Sequence, residues 1–145
     1  MALEESEKPL RLFVRVGQSM PLHAAASARV LLAWRDEEEV LGALRSAGLS
    51  RYTPDTPSTV QGVLKRLQDI RDRGYDICSA ELDENAWAVS APVRTAAGVV
   101  VASVTLTAPE PRVGDQQARE GFKKLVLEAA RRMSTELGWT EASPS

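Results

Sequence analysis

Residues 86–107 read AWAVSAPVRTAAGVVVASVTLT, and this stretch decides the fold. Two runs of strand-forming residues, 86–94 and 99–107, flank Thr95-Ala96-Ala97-Gly98, a short connection ending in glycine. That pattern predicts a β-hairpin. Simple closure sets Arg94 against Val99, Pro92 against Val101, Ser90 against Ser103, Ala88 against Thr105 and Ala86 against Thr107. Side chains alternate along a strand, so all of these share one face. The other face carries Trp87, Val89, Ala91 and Val93 opposite Val100, Ala102, Val104 and Leu106. It is bulky and apolar, as a core face is.

The first face has a different chemistry. It joins the small residues Ala86, Ala88 and Ser90 to the hydroxyls of Ser103, Thr105 and Thr107. Small side chains leave volume, and a hydroxyl both donates and accepts hydrogen bonds. A concave surface so lined suits a small ligand carrying carboxylate or hydroxyl oxygens. The same residues also fit a plain solvent face, because threonine is a good strand former. Register alone leaves both readings open.

Upstream of the hairpin, LRLFVRV at 10–16 alternates as a half-exposed strand closed by Gly17. The alanine-rich stretch 23–34 favours helix. Asp36 with Glu39 resembles a capping box for a second helix ending near Gly48, and a loop with Pro54 and Pro57 follows. Ser58 with Gln61 offers another box, ahead of Val60, Val63, Leu64, Leu67 and Ile70 at helical spacing and a stop at Gly74. A short strand is expected over 75–82. Downstream, Phe122, Leu125, Val126, Ala129, Met133 and Leu137 mark one face of a long helix starting near Asp115. Glu120 with Lys124 and Glu128 with Arg132 would supply i,i+4 pairs of about 0.2–0.5 kcal/mol each. Strand, helices, strands and helix in this order predict an α+β domain, a mainly antiparallel sheet with helices packed against it.

Composition narrows the function. The chain has 145 residues, the size of one domain, and a formal net charge of -2 with no basic stripe, which argues against direct nucleic-acid binding. Its one cysteine, Cys78, and one histidine, His23, allow neither a disulfide within the chain nor a Cys/His zinc site. No metal or cofactor is implied. No apolar run approaches the roughly 20 residues that span a bilayer. The acidic start at Glu4, Glu5 and Glu7 is unlike a signal peptide, so the expectation is a cytoplasmic protein with no membrane partner.

Several short motifs then fall in one order. Pro21-Leu22-His23-Ala24 precedes an alanine- and serine-rich helix ending Leu31-Leu32-Ala33. Arg51-Tyr52-Thr53, Arg73-Gly74-Tyr75 and Ala91-Pro92-Val93 follow, then Gly98 with a valine-rich strand, and Pro109 with Arg112. The ordered set, from about Leu10 to Gly138, resembles the effector-binding domain of IclR-type transcriptional regulators. The resemblance implies a GAF-like fold with a ligand pocket over one sheet face, small-molecule effectors that are often organic or aromatic acids, and assembly into homodimers or higher homo-oligomers. It implies a regulator and not an enzyme. An attached winged helix-turn-helix would respond to the ligand.

Carried onto this sequence, the resemblance places Ala26 and Ser27 at a helix N-terminus, where free backbone N–H groups can face a carboxylate. Leu12 and Met20 would form an apolar wall, and Cys78, Ala86, Ala88, Thr105 and Thr107 would contact ligand from the strands. Ser103 joins them through the hairpin register. Four positions depart from the family pattern: Ala28 for a glycine, Arg29 for a lysine, Cys78 for an acid and Ala88 for a cysteine. The expected pocket is therefore less polar at one corner and roomier at another. The expected organisation is a tail at 1–9, an N-terminally truncated effector domain at 10–138 and a tail at 139–145. No DNA-binding domain is expected in this chain, and an exposed sheet edge would favour self-association.

Competing readings are weaker. His23 and Ser27 have the i,i+4 spacing of a base and a nucleophile, but no acid is placed to orient the imidazole. Asp76, Glu81 and Asp83 surround Cys78 with negative charge, which discourages a reactive thiolate. The arginines and lysines of the last helix are diluted by Glu120, Glu128 and Glu136. The alternative function is a ligand-independent interaction module that pairs with itself or with full-length relatives.

Overall fold

The computed structural model describes residues 19–140. The strand expected over 10–16, with Leu12, and the tail 1–9 lie outside the described residues. Within them the order is α1 (Ala26–Ala33), α2 (Glu37–Ala47), α3 (Val60–Arg73), β1 (Asp76–Ser79), β2 (Ala86–Arg94), β3 (Val100–Pro109), a 3-10 turn (Glu110–Val113) and α4 (Gln116–Glu136). The three strands form an antiparallel sheet in the order β1-β2-β3. This is the α+β architecture that the alternation of patterns predicts.

Each sheet face is covered by a different layer. On one side Trp87, Val89, Ala91 and Val93 pack with Ala108, Val113, Val126 and Ala130, so α4 closes the face read as core. On the other side α1 lies across the strands. A second cluster of Val30, Ala33, Val40, Leu44, Val63, Leu67 and Ile70 then seals α1, α2 and α3 together. The chain thus buries both faces of β2, as burial of apolar area requires when a central strand carries valines on one face and small residues on the other.

The hairpin register differs from simple closure. Ser90 pairs with Thr105, Ala88 with Thr107, Pro92 with Ser103 and Ala86 with Pro109. Each of these four partners is shifted by two residues from the predicted one, and that of Arg94 by one, from Val99 to Val100. An even shift preserves the faces, because side chains repeat every second residue, so the membership of each face stands while the pairs do not. The cause is an irregularity between Val93 and Arg94: Arg94 faces Val100 while Val93 faces Ala102, which leaves Val101 unpaired.

Local signals were mostly read at the right place with the wrong partner. Asp36 is the N-cap residue of α2, but its side chain accepts no capping hydrogen bond. Thr59, not Ser58, caps α3 by accepting from the Gly62 N–H, while Ser58 Oγ accepts from Arg51 Nη2 at 2.8 Å. Gly74 ends α3 in the left-handed region, as expected. β1 stops at Ser79 because Ala80 turns the chain at a φ of 57°. In α4 the buried row is Phe122, Val126, Ala130 and Ser134, with Phe122 only half-buried, and Leu125, Met133 and Leu137 point to solvent. The predicted i,i+4 pairs of α4 are replaced: Glu120 takes Lys123, at 2.9 Å, and Glu128 with Arg132 is not an ion pair among the described residues.

Candidate ligand-binding face

The face of the sheet beneath α1 is built from short rows that cross all the strands. Cys78, Ala88 and Thr107 form one row, and Asp76, Ser90 and Thr105 form the next. Ser90 is fully buried, and its hydroxyl lies 2.8 Å from the Thr105 hydroxyl. Thr105 and Thr107 are exposed, Ala86, Ala88 and Ser103 are half-buried, and Cys78 is buried. Two small residues on the central strand thus lie beside a line of hydroxyls on the outer strand, and this face is the candidate trough.

α1 sits at the rim of that trough. Ser103 Oγ donates to the Ser27 carbonyl at 3.1 Å, and Cys78 Sγ donates to the Ala24 carbonyl at 3.2 Å, so the two outer strands are both tied to the start of the helix. Ala25 is the N-cap residue and supplies no side-chain cap, which leaves the first amides of α1 without a capping oxygen. Ala26 is buried, Ser27 is half-buried, and Met20 is half-buried just ahead of the turn. Among the predicted site residues the structure brings together Ser27 with Ser103, Cys78 with Ala88, and Ala88 with Thr107. Ala86 sits one row further out, opposite Pro109.

His23 is a structural residue. Its Nε2 lies 2.7 Å from the Ser50 carbonyl, and its ring tilts against Tyr52. Burial pushes the Cys78 thiol up, with the Arg29 guanidinium pulling the other way.

The feature that sequence reading missed lies beneath α1. Arg29, entirely buried, donates Nε to Asp76 Oδ2 at 2.6 Å, Nη1 to the His23 carbonyl and Glu81, and Nη2 to the Ile77 carbonyl and Glu81. Every N–H of its guanidinium is engaged. Arg66 Nη2 meets Glu81 Oε2 at 2.9 Å and Arg73 Nη2 meets Asp76 Oδ1 at 3.1 Å, so arginines from α1 and α3 converge on acids at either end of β1. Burial works against the Arg29 charge, yet Asp76 and Glu81 outweigh it and hold its pKa up. Burial pushes the Asp76 carboxyl above the usual range against the pull of Arg29, Arg66 and Arg73. For Glu81 burial again acts upward, but hydrogen bonds from Arg66 and Arg29 prevail and hold it below the usual range. The available signal was an arginine inside an otherwise apolar helix, followed by an aspartate at the start of a strand.

Two open clefts lie away from the trough. One, of about 640 Å3, runs between the start of α2 and α3 past Trp34, Asp36, Leu64 and Arg71. The other, of about 260 Å3, lies between the end of α1 and the hairpin tip. Among the described residues no helix is long and apolar enough to cross a membrane.

Comparison with known proteins gives a consistent set of matches. The profile of the family described as bacterial transcriptional regulator IclR C-terminal matches residues 2–135. The HTH-type transcriptional regulator KdgR of Escherichia coli K12 is 32% identical over 130 residues, which are 90% of this chain and 49% of that protein. The chain therefore spans about half the length of the curated relatives it matches. The crystal structure of the C-terminal domain of E. coli KdgR superposes with a TM-score of 0.76 at 30% identity, covering 82% of this chain and 72% of that one. The inducer-binding domain of the PobR transcription factor from Acinetobacter, a double mutant in complex with 3-hydroxybenzoic acid, superposes with a TM-score of 0.76 at 26% identity, covering 83% of this chain and 69% of that one. These relatives are transcriptional regulators and not enzymes.

Proposed function

The chain belongs to the family of IclR C-terminal domains of bacterial transcriptional regulators, and from that premise we propose that it is a small-molecule sensing domain whose ligand, an organic or aromatic acid, lies in the trough beneath α1. The observation that carries this reading is the row of Cys78, Ala88 and Thr107 beside Ser90 and Thr105, small or hydroxylated at every position and open at its outer edge. In this reading the ligand carboxylate meets the uncapped amides of Ala26 and Ser27, where the helix end favours negative charge. Thr105 and Thr107 hold further oxygens, and Met20, Cys78, Ala86 and Ala88 contact the ligand body. Ser103 acts through Ser27, fixing the height of α1 over the sheet. The aromatic acid bound by the PobR inducer-binding domain supports this ligand class. The protein acts in the cytoplasm as a homodimer or higher homo-oligomer, and this domain itself does not contact DNA.

The test is thermal stability against a panel of organic and aromatic acids, comparing wild type with Thr105→Val. A ligand at 100 times its Kd adds about 2.7 kcal/mol by linkage. Stabilisation of the wild type that the variant loses supports the trough. A panel that shifts neither protein sinks the sensing reading.

A second reading, pairing without ligand, is favoured by the exposed apolar row of Leu125, Met133 and Leu137 on α4. Light scattering that shows the same oligomer with and without a stabilising acid, lost on changing that row to polar residues, would select it.

A further inference from the structure

Arg94 is the opposite of Arg29. Its guanidinium is half-buried, lies 4.6 Å above the Trp34 ring and gives one hydrogen bond, from Nη1 to the Gly98 carbonyl at 3.2 Å. It forms no ion pair among the described residues, and its remaining N–H donors have no protein acceptor there. Burial alone acts on its charge, and it acts to lower the pKa. Those remaining donors are not sealed from solvent, so an incoming carboxylate can take them without breaking a protein contact.

The surroundings hold that cation in place. The Arg94 backbone N–H donates to Ser134 Oγ at 2.9 Å, which anchors this point of β2 to α4. The register irregularity at Val93 and Arg94 re-aims the side chain at the hairpin tip, as such irregularities do. There it faces the cleft of about 260 Å3, which is lined also by Leu31, Trp34, Arg35, Val99 and Val100. The cleft combines two arginines with aromatic and aliphatic walls and has no acid in its lining. It sits at the other end of α1 from Ser27, roughly 9 Å along a helix that rises about 1.5 Å per residue, and shares no lining residue with the trough.

We propose that this cleft is a second binding site, for a small organic acid whose carboxylate is held by Arg94 and Arg35 and whose apolar body lies along Leu31, Val99 and the Trp34 edge. A guanidinium suits a carboxylate because its planar fork can give parallel hydrogen bonds. Its place 4.6 Å over the Trp34 ring restrains the guanidinium before ligand arrives. Inorganic phosphate satisfies the charge but leaves the apolar walls bare, so it binds more weakly than an aromatic carboxylate.

The experiment is fluorine NMR of the whole chain labelled with 5-fluorotryptophan and titrated with benzoate and, separately, with inorganic phosphate. Trp34→Phe assigns the Trp34 resonance. Benzoate is expected to move that resonance saturably, and phosphate to do so at least tenfold more weakly. Arg94→Gln is expected to weaken the benzoate response tenfold or more and Arg94→Lys by a few-fold, while Thr105→Val leaves it unchanged. A wild-type Trp34 resonance that benzoate does not move overturns the proposal without reference to any variant. So does an equal response in Arg94→Gln, and so does phosphate binding as tightly as benzoate. Loss of the response in Thr105→Val would assign benzoate to the trough instead.

Discussion

Arg29 Nε lies 2.6 Å from Asp76 Oδ2, and neither side chain retains any exposure to solvent. The pair ties α1 to the first residue of β1, directly beneath the helix whose N-terminus borders the trough. A buried ion pair is not itself strong evidence of stability, but removing one partner strands the other.

Arg29→Met leaves Asp76 with only the partial cover of Arg66 and Arg73, and Glu81 with Arg66 alone. The expected loss is roughly 3–5 kcal/mol in urea unfolding at neutral pH. Arg29→Lys restores the charge without the planar fork and should lose less, about 1–3 kcal/mol. A methionine variant as stable as wild type would show that the network carries no stability.

Acid sensitivity should trace to Glu81. Its folded pKa is held below that of an unfolded glutamate, so its contribution is full above the unfolded value, about 4.3, and is lost as pH falls through the lower folded value. Asp76 is shifted the other way, so its own contribution weakens as pH rises through its folded value. The stability difference between wild type and Glu81→Gln should therefore be largest near neutrality and shrink on acidification. A difference that stays constant from neutral pH down to pH about 3 would contradict this assignment.

Neighbouring residues of α4 should respond very differently to truncation. Val126 is buried against the sheet, so Val126→Ala is expected to cost about 1–3 kcal/mol from lost burial and the cavity left behind. Leu125 is 60% exposed, so Leu125→Ala should stay within about 0.5 kcal/mol in dilute solution. Thermal unfolding of the two variants settles which face of the helix is inside.

The cap of α3 offers a sharper local test. Thr59→Ala removes the oxygen that accepts from Gly62 N–H and should cost about 1 kcal/mol. Ser58→Ala removes only an exposed bond from Arg51 and should cost a few tenths. Equal costs for the two would mean that the helix starts elsewhere in solution.

Much of this architecture was legible from periodicity. From Ala86 to Val93 the faces of β2 and β3 match the sequence reading despite a wrong register, because the error there is an even number of residues. The α4 face was read less well. Leu125, Met133 and Leu137 continue the apolar spacing, and spacing cannot tell which side of a broad stripe meets the sheet. The buried row includes Ala130 and Ser134, small residues that hydrophobic counting passes over but that let the helix approach closely. Ser134 is there for its hydroxyl, which bridges the Ala130 carbonyl and the Arg94 amide.

The candidate site divides the same way. Ser27, Ala88, Ser103, Thr105 and Thr107 could be named from strand alternation and family resemblance, and the structure sets Ser103 against Ser27 and Ala88 between Cys78 and Thr107. The roles of two arginines could not be read there. Arg29 stands out only as an arginine in an apolar helix and Arg94 not at all, yet one has every donor engaged in the interior and the other gives a single hydrogen bond at the rim of a cleft.

The sequence by itself determined the α+β class, the hairpin, the composition of its two faces and the family, because those follow from local alternation, turn residues and motif order. Only the tertiary structure decided the register, the inward row of α4, the pairing of Arg29 with Asp76 and the isolation of Arg94. Those depend on which groups, distant in the chain, meet at hydrogen-bonding distance once water has been excluded from between the layers.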